Sequence, residues 1–106
     1  MRILFDQGTP APLRALLPDH EVVTAYEQGW STLDDRQLLR SAMEQGFEVL
    51  VTTDRSLKHQ QNLASCSLGV VVLGTTSWPR IKASADSIAV ALTHAVPGET
   101  IEVSIP

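Results

Sequence analysis

Short apolar runs alternate along the chain with stretches whose apolar residues recur at helical spacing. The runs are rich in β-branched residues, as strands are, and they lie at 3–5, 21–25, 49–52, 69–73 and 100–105. Three successive valines in the fourth run predict a strand that is buried on both faces. The fifth run alternates and contains Glu102, a residue that suits a strand at the edge of a sheet.

Four helices are predicted between these strands. The first begins after residues 8–10, and its inward residues would be Leu13, Leu16 and Leu17. The second has Thr32 as its expected N-cap and Asp35 at its third helical position, a capping-box pattern, and it ends at Gly46. The third is short, over 57–63, and the last is one helix with apolar residues from 81 to 92. Alternating strands and helices predict a single α/β domain over 1–106, a three-layer α/β/α sandwich with a mostly parallel five-stranded sheet.

Composition restricts the kinds of protein that the chain can be. With 106 residues, of which 43% are hydrophobic, it has material for one core. Its net charge of -4 argues against a broad cationic face that would bind nucleic acid non-specifically. Cys66 is the one cysteine, so an intramolecular disulfide framework is excluded and a cytoplasmic location is expected. No apolar run approaches the ~20 residues of a membrane span, and the N-terminus does not have the pattern of a secretory signal.

Two aspartates stand where predicted strands end. Asp6 follows the first strand directly, and Asp54 follows the third after one intervening threonine. Ligands of open parallel sheets bind outside the carboxyl ends of the strands, so both carboxylates are expected in one crevice, where they could bind a divalent cation such as Mg²⁺. An alternative of about equal weight is that each aspartate caps the helix that follows it.

A third carboxylate would complete a phosphoryl-transfer site, and Asp34 and Asp35 are the candidates. Their position in the first turn of the second helix is also favoured by the helix dipole alone, and this second interpretation is the stronger. A polar cluster directly after Asp54 could position phosphates and sugars, or it could be a solvated helix; its members are Arg55, Lys58, His59, Gln60, Gln61 and Asn62.

Trp30 and Trp78 both lie in connections. An indole in a connection can stack on a nucleobase, but in small domains it more often covers the core, and we expect the second role. Cys66 is expected to be a buried thiol without a catalytic role.

In order and spacing, these segments resemble the short bacterial branch of the PIN-like domains. The resemblance covers nearly the whole chain and is carried by residues 3–6, 9–10, 13–14, 20–23, 29–30, 49–54, 60–63, 70–73 and 78–79. It implies a fold related to the toxin nucleases of toxin–antitoxin pairs, which cleave RNA at an acidic site that requires Mg²⁺ or Mn²⁺. Asp6 and Asp54 match the first and a later aspartate of that site, whereas the helix carboxylate is matched approximately, by Asp34 or Asp35.

The resemblance therefore predicts a metal-dependent endoribonuclease with RNA as substrate and an antitoxin protein as partner. Two positions depart from the family pattern, because Gln7 stands where many relatives have glutamate and Ser56 where many have a second carboxylate. These departures leave open a degenerate domain that acts as a protein-interaction module. A homodimer is also expected, because a small sheet has two edges to cover.

A phosphorylatable receiver-type switch at Asp54 is the weakest alternative. Such a switch has paired acids after its first strand and a lysine at the end of a late strand. Here Gln7 follows Asp6, and neither Lys58 nor Lys82 ends a predicted strand.

Overall fold

Five parallel strands form one sheet in the computed structural model of the chain, which describes residues 1–57 and 66–106. The strands are β1 (Arg2–Phe5), β2 (Glu21–Thr24), β3 (Val49–Thr52), β4 (Gly69–Val72) and β5 (Thr100–Glu102). A 3-10 helix covers Ala11–Leu16, and the α-helices are α1 (Asp35–Glu44), α2 (Trp78–Ala83) and α3 (Ala85–Thr93). The predicted α/β class and the five strands are confirmed, and the sheet is entirely parallel over the described residues.

The strand order is β2-β1-β3-β4-β5, so β1 and β3 are adjacent in the interior of the sheet. Phe5 pairs with Val51 in this register, which brings the carboxyl ends of β1 and β3 side by side. β4 is buried along its whole length, and β5 lies at an edge, both as predicted.

Two apolar clusters cover the two faces of the sheet, because successive residues of a strand point to opposite sides. Ile3 and Phe5 face one cluster, which also contains buried residues of the 3-10 helix, α2 and α3. Leu4 faces the other cluster, which contains the buried side of α1. This arrangement is the predicted three-layer sandwich. No helix within residues 1–57 and 66–106 is long and apolar enough to cross a membrane.

The start of α1 differs from the prediction. Its N-cap is Asp34 and not Thr32, which is exposed. The Asp34 carboxylate accepts a hydrogen bond from the Gln37 backbone N–H at 2.8 Å, and the Gln37 side chain accepts from the Asp34 N–H at 3.1 Å. The capping box is therefore built two residues later than expected, since Gln37 at the third helical position returns the bond and Asp35 takes the first position.

Three further elements differ in extent. The first helix is a 3-10 helix with Pro12 near its start; Leu13 and Leu17 are buried, but Leu16 is exposed. The predicted last helix is divided at Ser84, a buried residue that ends α2 and precedes α3. β5 ends at Glu102, although the Val103 N–H still donates to the Val72 carbonyl at 2.9 Å. Nearly all of the short helix predicted at 57–63 lies outside the described residues.

Candidate functional site

Asp6 is held in place at the end of β1 by donors from the loop that follows it and from the end of β3. The Thr9 hydroxyl donates to one carboxylate oxygen at 2.8 Å, and the Thr52 hydroxyl donates to the other. Backbone N–H groups of Gly8 and Thr9 add further hydrogen bonds. Burial nevertheless raises the pKa of Asp6 above its ordinary value, because the loss of hydration outweighs these donors.

The Thr52 hydroxyl connects the two aspartates. It donates to the Asp6 carboxylate and accepts from the Asp54 backbone N–H at 3.1 Å, and Thr52 is buried at the end of β3. The Thr9 hydroxyl strengthens the same junction because it also lies 2.9 Å from the Val51 carbonyl. Neither hydroxyl was among the predicted site residues, although Thr9 and Thr52 lie within three residues of an aspartate in the sequence.

Asp54 lies in a different environment. One of its carboxylate oxygens accepts from the Ser56 hydroxyl at 2.6 Å and from the Ser56 backbone N–H at 2.9 Å. These hydrogen bonds stabilise the charged form and lower the pKa of Asp54. Ser56, where the resemblance leads one to expect a second carboxylate, is therefore a donor to Asp54.

Asp35 lies close enough to Asp6 and Asp54 for their charges to affect its pKa. Its pKa is raised by burial first, and then by repulsion from Asp54, Asp6 and Asp34. The first helical position of α1 thus places this carboxylate near the carboxyl ends of β1 and β3. Asp34, the other candidate for the third carboxylate, is exposed and uses its side chain to cap α1.

Of the polar cluster predicted after Asp54, the structure describes Arg55. The Arg55 guanidinium lies over the backbone of Gly74, where an added Cβ would come within 2.5 Å of its Nε. Arg55 also lines a pocket of about 340 Å³ beside the end of β5. The other five members of the predicted polar cluster, at 58–62, lie outside the described residues.

The carboxylates fit a divalent cation in donor chemistry and in charge. All three are hard oxygen ligands, and none of Asp6, Asp35 and Asp54 forms an ion pair with a described lysine, arginine or histidine. Within residues 1–57 and 66–106, however, no three His, Cys, Asp or Glu side chains are grouped closely enough to hold a metal ion. Since Mg²⁺ is usually bound by one or two carboxylates and several waters, Asp6 and Asp54 are sufficient ligands in number.

Both tryptophans cover the core, as predicted. Trp30 packs edge-on against Phe47, with ring centroids 6.1 Å apart, and Trp78 packs against the cluster on the opposite face of the sheet. Cys66 is buried, also as predicted.

The chain matches no protein-family model, no curated protein and no solved structure. The function is therefore argued from the chemistry and geometry of the residues.

Proposed function

We propose that this chain is a metal-dependent endoribonuclease of the PIN-like type. The observation that carries the proposal is the electrostatic coupling of Asp35 to both Asp6 and Asp54 at the carboxyl edge of the sheet. Repulsion from Asp6 and Asp54 raises the pKa of Asp35 there, and none of the three acids has a described basic partner to compensate its charge. A bound divalent cation would remove this repulsion, and it would supply an activated water and neutralise charge on the leaving oxygen.

Each acid has a distinct role in this proposal. Asp6 and Asp54 would hold the cation directly, and Asp35 would act through a water in its hydration shell. Thr9 and Thr52 are positioning residues, because their hydroxyls fix the orientation of the Asp6 carboxylate. Asp34 is the less suitable third acid because its carboxylate is engaged in capping α1.

The substrate class comes from the resemblance to PIN-like nucleases. Arg55 is the described basic residue closest in sequence to Asp54, and it would contact a phosphate of the RNA. Residues 58–62 would extend this contact. Mn²⁺ is an equal candidate for the cation, since carboxylate ligands also suit it. The antitoxin partner and the homodimer stay predictions.

Metal titration and RNA cleavage test the proposal together. We expect Mg²⁺ or Mn²⁺ to release or absorb heat on binding and to raise the melting temperature of the wild-type protein. Asp6→Asn should weaken metal binding more than about 10-fold, the scale found for groups that only orient metal ligands, and should abolish cleavage. Asp86→Asn is the matched control, since Asp86 is an exposed acid at the start of α3.

A catalytically degenerate interaction module is the second candidate. It is favoured by the internal hydrogen bonds of the site, since both Asp6 oxygens and one Asp54 oxygen already accept from protein groups. The same titration separates the candidates. No binding heat, no metal-dependent rise in melting temperature and no cleavage of diverse RNAs would reject the nuclease and support the module.

A further inference from the structure

An open groove of about 590 Å³ lies beside the carboxyl ends of β1 and β2. Asp6, one of the two proposed metal ligands, belongs to its lining. The other residues that matter for its chemistry are Gln7, Arg14, Tyr26, Glu27 and Trp78. The groove thus combines two aromatic side chains with polar groups next to the proposed reaction centre.

Tyr26 is the most unusual member of this lining. Its side chain is 76% exposed, more than that of any other large hydrophobic residue in the described part of the chain. The turn that carries it is nevertheless well fixed. The Thr24 N–H donates to the Glu27 carboxylate at 3.0 Å, the Glu27 N–H donates to the Thr24 hydroxyl at 3.1 Å, and Gly29 closes the turn with a φ of +77°.

Arg14 also fixes this turn from the 3-10 helix. Its guanidinium lies 2.7 Å from the Glu27 carboxylate and donates to the Val22 carbonyl at 3.2 Å. The backbone that carries the exposed Tyr26 ring is therefore held by the 3-10 helix, β2 and the turn itself. A turn that is fixed before binding loses little conformational entropy when a ligand stacks on the ring that it presents.

The charges of the groove select against a phosphate in it. Arg14 is paired with Glu27, which leaves Asp6 as an acid without a described basic partner. A neutral planar group would meet no such repulsion, and the Gln7 amide and the Thr76 hydroxyl provide polar atoms along the lining. A nucleobase has these properties, and every base has a face that can stack on an aromatic ring.

We propose that this groove binds an unpaired base of single-stranded RNA, with the ring of Tyr26 as its stacking platform and Trp78 in the adjacent wall. The proposal rests on the proposed nuclease function for the neighbouring phosphate, which would lie outside the groove at the cation that Asp6 and Asp54 would hold. The base next to the scissile bond would then be held by stacking, and double-stranded RNA would be excluded because its bases are not available.

Fluorescence anisotropy with two labelled probes tests this subsite. One probe is a short single-stranded oligoadenylate, and the other is an abasic oligomer of the same length and charge, both in buffer with MgCl₂. Binding is measured in an Asp54→Asn background, so that the RNA stays intact, and Asp54 is not part of the groove lining. Tyr26→Leu should weaken oligoadenylate binding about 10-fold, whereas Tyr26→Phe, which keeps the ring, should retain it.

The expected result also includes weak binding of the abasic probe by every variant. Val90→Ala is the matched control, because Val90 is 58% exposed on α3 and does not line the groove. Equal affinity of Tyr26→Leu and its parent for oligoadenylate, equal affinity of the parent for both probes, or no binding of either probe would overturn the subsite.

Cleavage of the same RNA by the wild-type chain, measured separately, keeps the two proposals distinguishable. Cleavage together with Tyr26-independent binding would overturn the subsite alone. Tyr26-dependent binding of bases without metal-dependent cleavage would overturn the nuclease and leave the groove as a site for single-stranded RNA.

Discussion

Asp6 and Asp54 stand within two residues of the ends of neighbouring interior strands, but the protein treats the two carboxylates in opposite ways. Asp6 is fixed by the hydroxyls of Thr9 and Thr52, and burial still raises its pKa. Asp54 is fixed by Ser56, two residues later, and those hydrogen bonds lower its pKa. Two acids just beyond the ends of adjacent strands therefore differ, since Asp6 resists ionisation and Asp54 favours it.

The opposite pKa shifts imply that the two carboxylates would respond differently to a bound cation. Asp6 gains most from a cation, since its charge is poorly solvated without one. Asp54 is ionised at lower pH and can attract a cation first. The connection between them is the Thr52 hydroxyl, so changes at this hydroxyl should affect both residues.

Replacement of Thr52 should have the largest effect. Thr52→Val keeps the shape of the side chain but removes a buried donor to Asp6 and a buried acceptor for the Asp54 N–H. We expect the free energy of unfolding in urea to fall by about 2 kcal/mol, and the pKa of Asp6 to rise further. Thr52→Ser is the control for the pKa, because it keeps the hydroxyl. Equal stability of Thr52→Val and wild type would show that the hydroxyl does not join the two sites.

Substitution of Gly8 tests the close contact between the loop after β1 and the loop after β3. An added Cβ at Gly8 would meet the Thr53 hydroxyl oxygen. Gly8→Ala should therefore destabilise the protein by about 1 kcal/mol, measured by thermal and urea unfolding. Thr53→Ala removes the obstructing atom, so the double variant should recover most of the loss. Simple additivity of the two substitutions would contradict this close approach.

Ser56→Ala tests the hydrogen bonds that stabilise the charged form of Asp54. The variant removes the hydroxyl bond to the Asp54 carboxylate, so the pKa of Asp54 should rise toward its ordinary value of 3.8 while the pKa of Asp6 stays unchanged. The loss of stability should be about 0.5 kcal/mol, since the bond is only partly buried. Carboxyl titrations by NMR measure the pKa, with Ser87→Ala on the exposed side of α3 as control. A shift at Asp6 would contradict the separation.

The pH dependence of stability should show the smallest net effect, because the two acids contribute with opposite signs. The raised pKa of Asp6 adds stability below pH 3.8 that is lost as the pH rises through the folded-state value. The lowered pKa of Asp54 adds stability above pH 3.8 that is lost as the pH falls through its folded-state value. Differences in unfolding free energy between wild type and Asp6→Asn, and between wild type and Asp54→Asn, should therefore slope in opposite directions with pH. Parallel slopes would contradict the assignment.

The short apolar runs were sufficient to predict the strands of the sheet, because parallel strands buried on both faces are continuously apolar, as 69–72 is. Helix limits were predicted less well. The capping box was predicted two residues too early. Asp34 with Gln37 three residues later fits the sequence signature better than Thr32 with Asp35, because the residue that returns the bond is normally Glu or Gln. The division of the last helix at Ser84 leaves no glycine or proline that a sequence pattern could detect.

The site was likewise predicted in part: the positions of the aspartates could be predicted, but the side chains that orient them could not. The strand ends predicted where Asp6 and Asp54 would lie, since parallel strands end at one edge. The sequence could not reveal that Thr52 bridges them, because threonine in a strand is ordinarily explained by its β-branched shape. Tyr26 was missed for a related reason, because the turn that carries it is fixed by Arg14 and Glu27, which lie 13 residues apart.

The exclusively parallel pairing has a consequence for the order in which the protein assembles. β1 pairs with β2 and with β3, whose paired residues begin only at Val49, so neither partner can form a local hairpin with it. Each pairing requires a long loop to close before any ladder bond forms, which slows folding relative to proteins with mainly local contacts. In pulsed hydrogen exchange, the amide of Asp6, which donates to the Val51 carbonyl, should consequently become protected no earlier than those of β3. The strand that supports Asp6 thus depends for its completion on sequence synthesised more than 40 residues later.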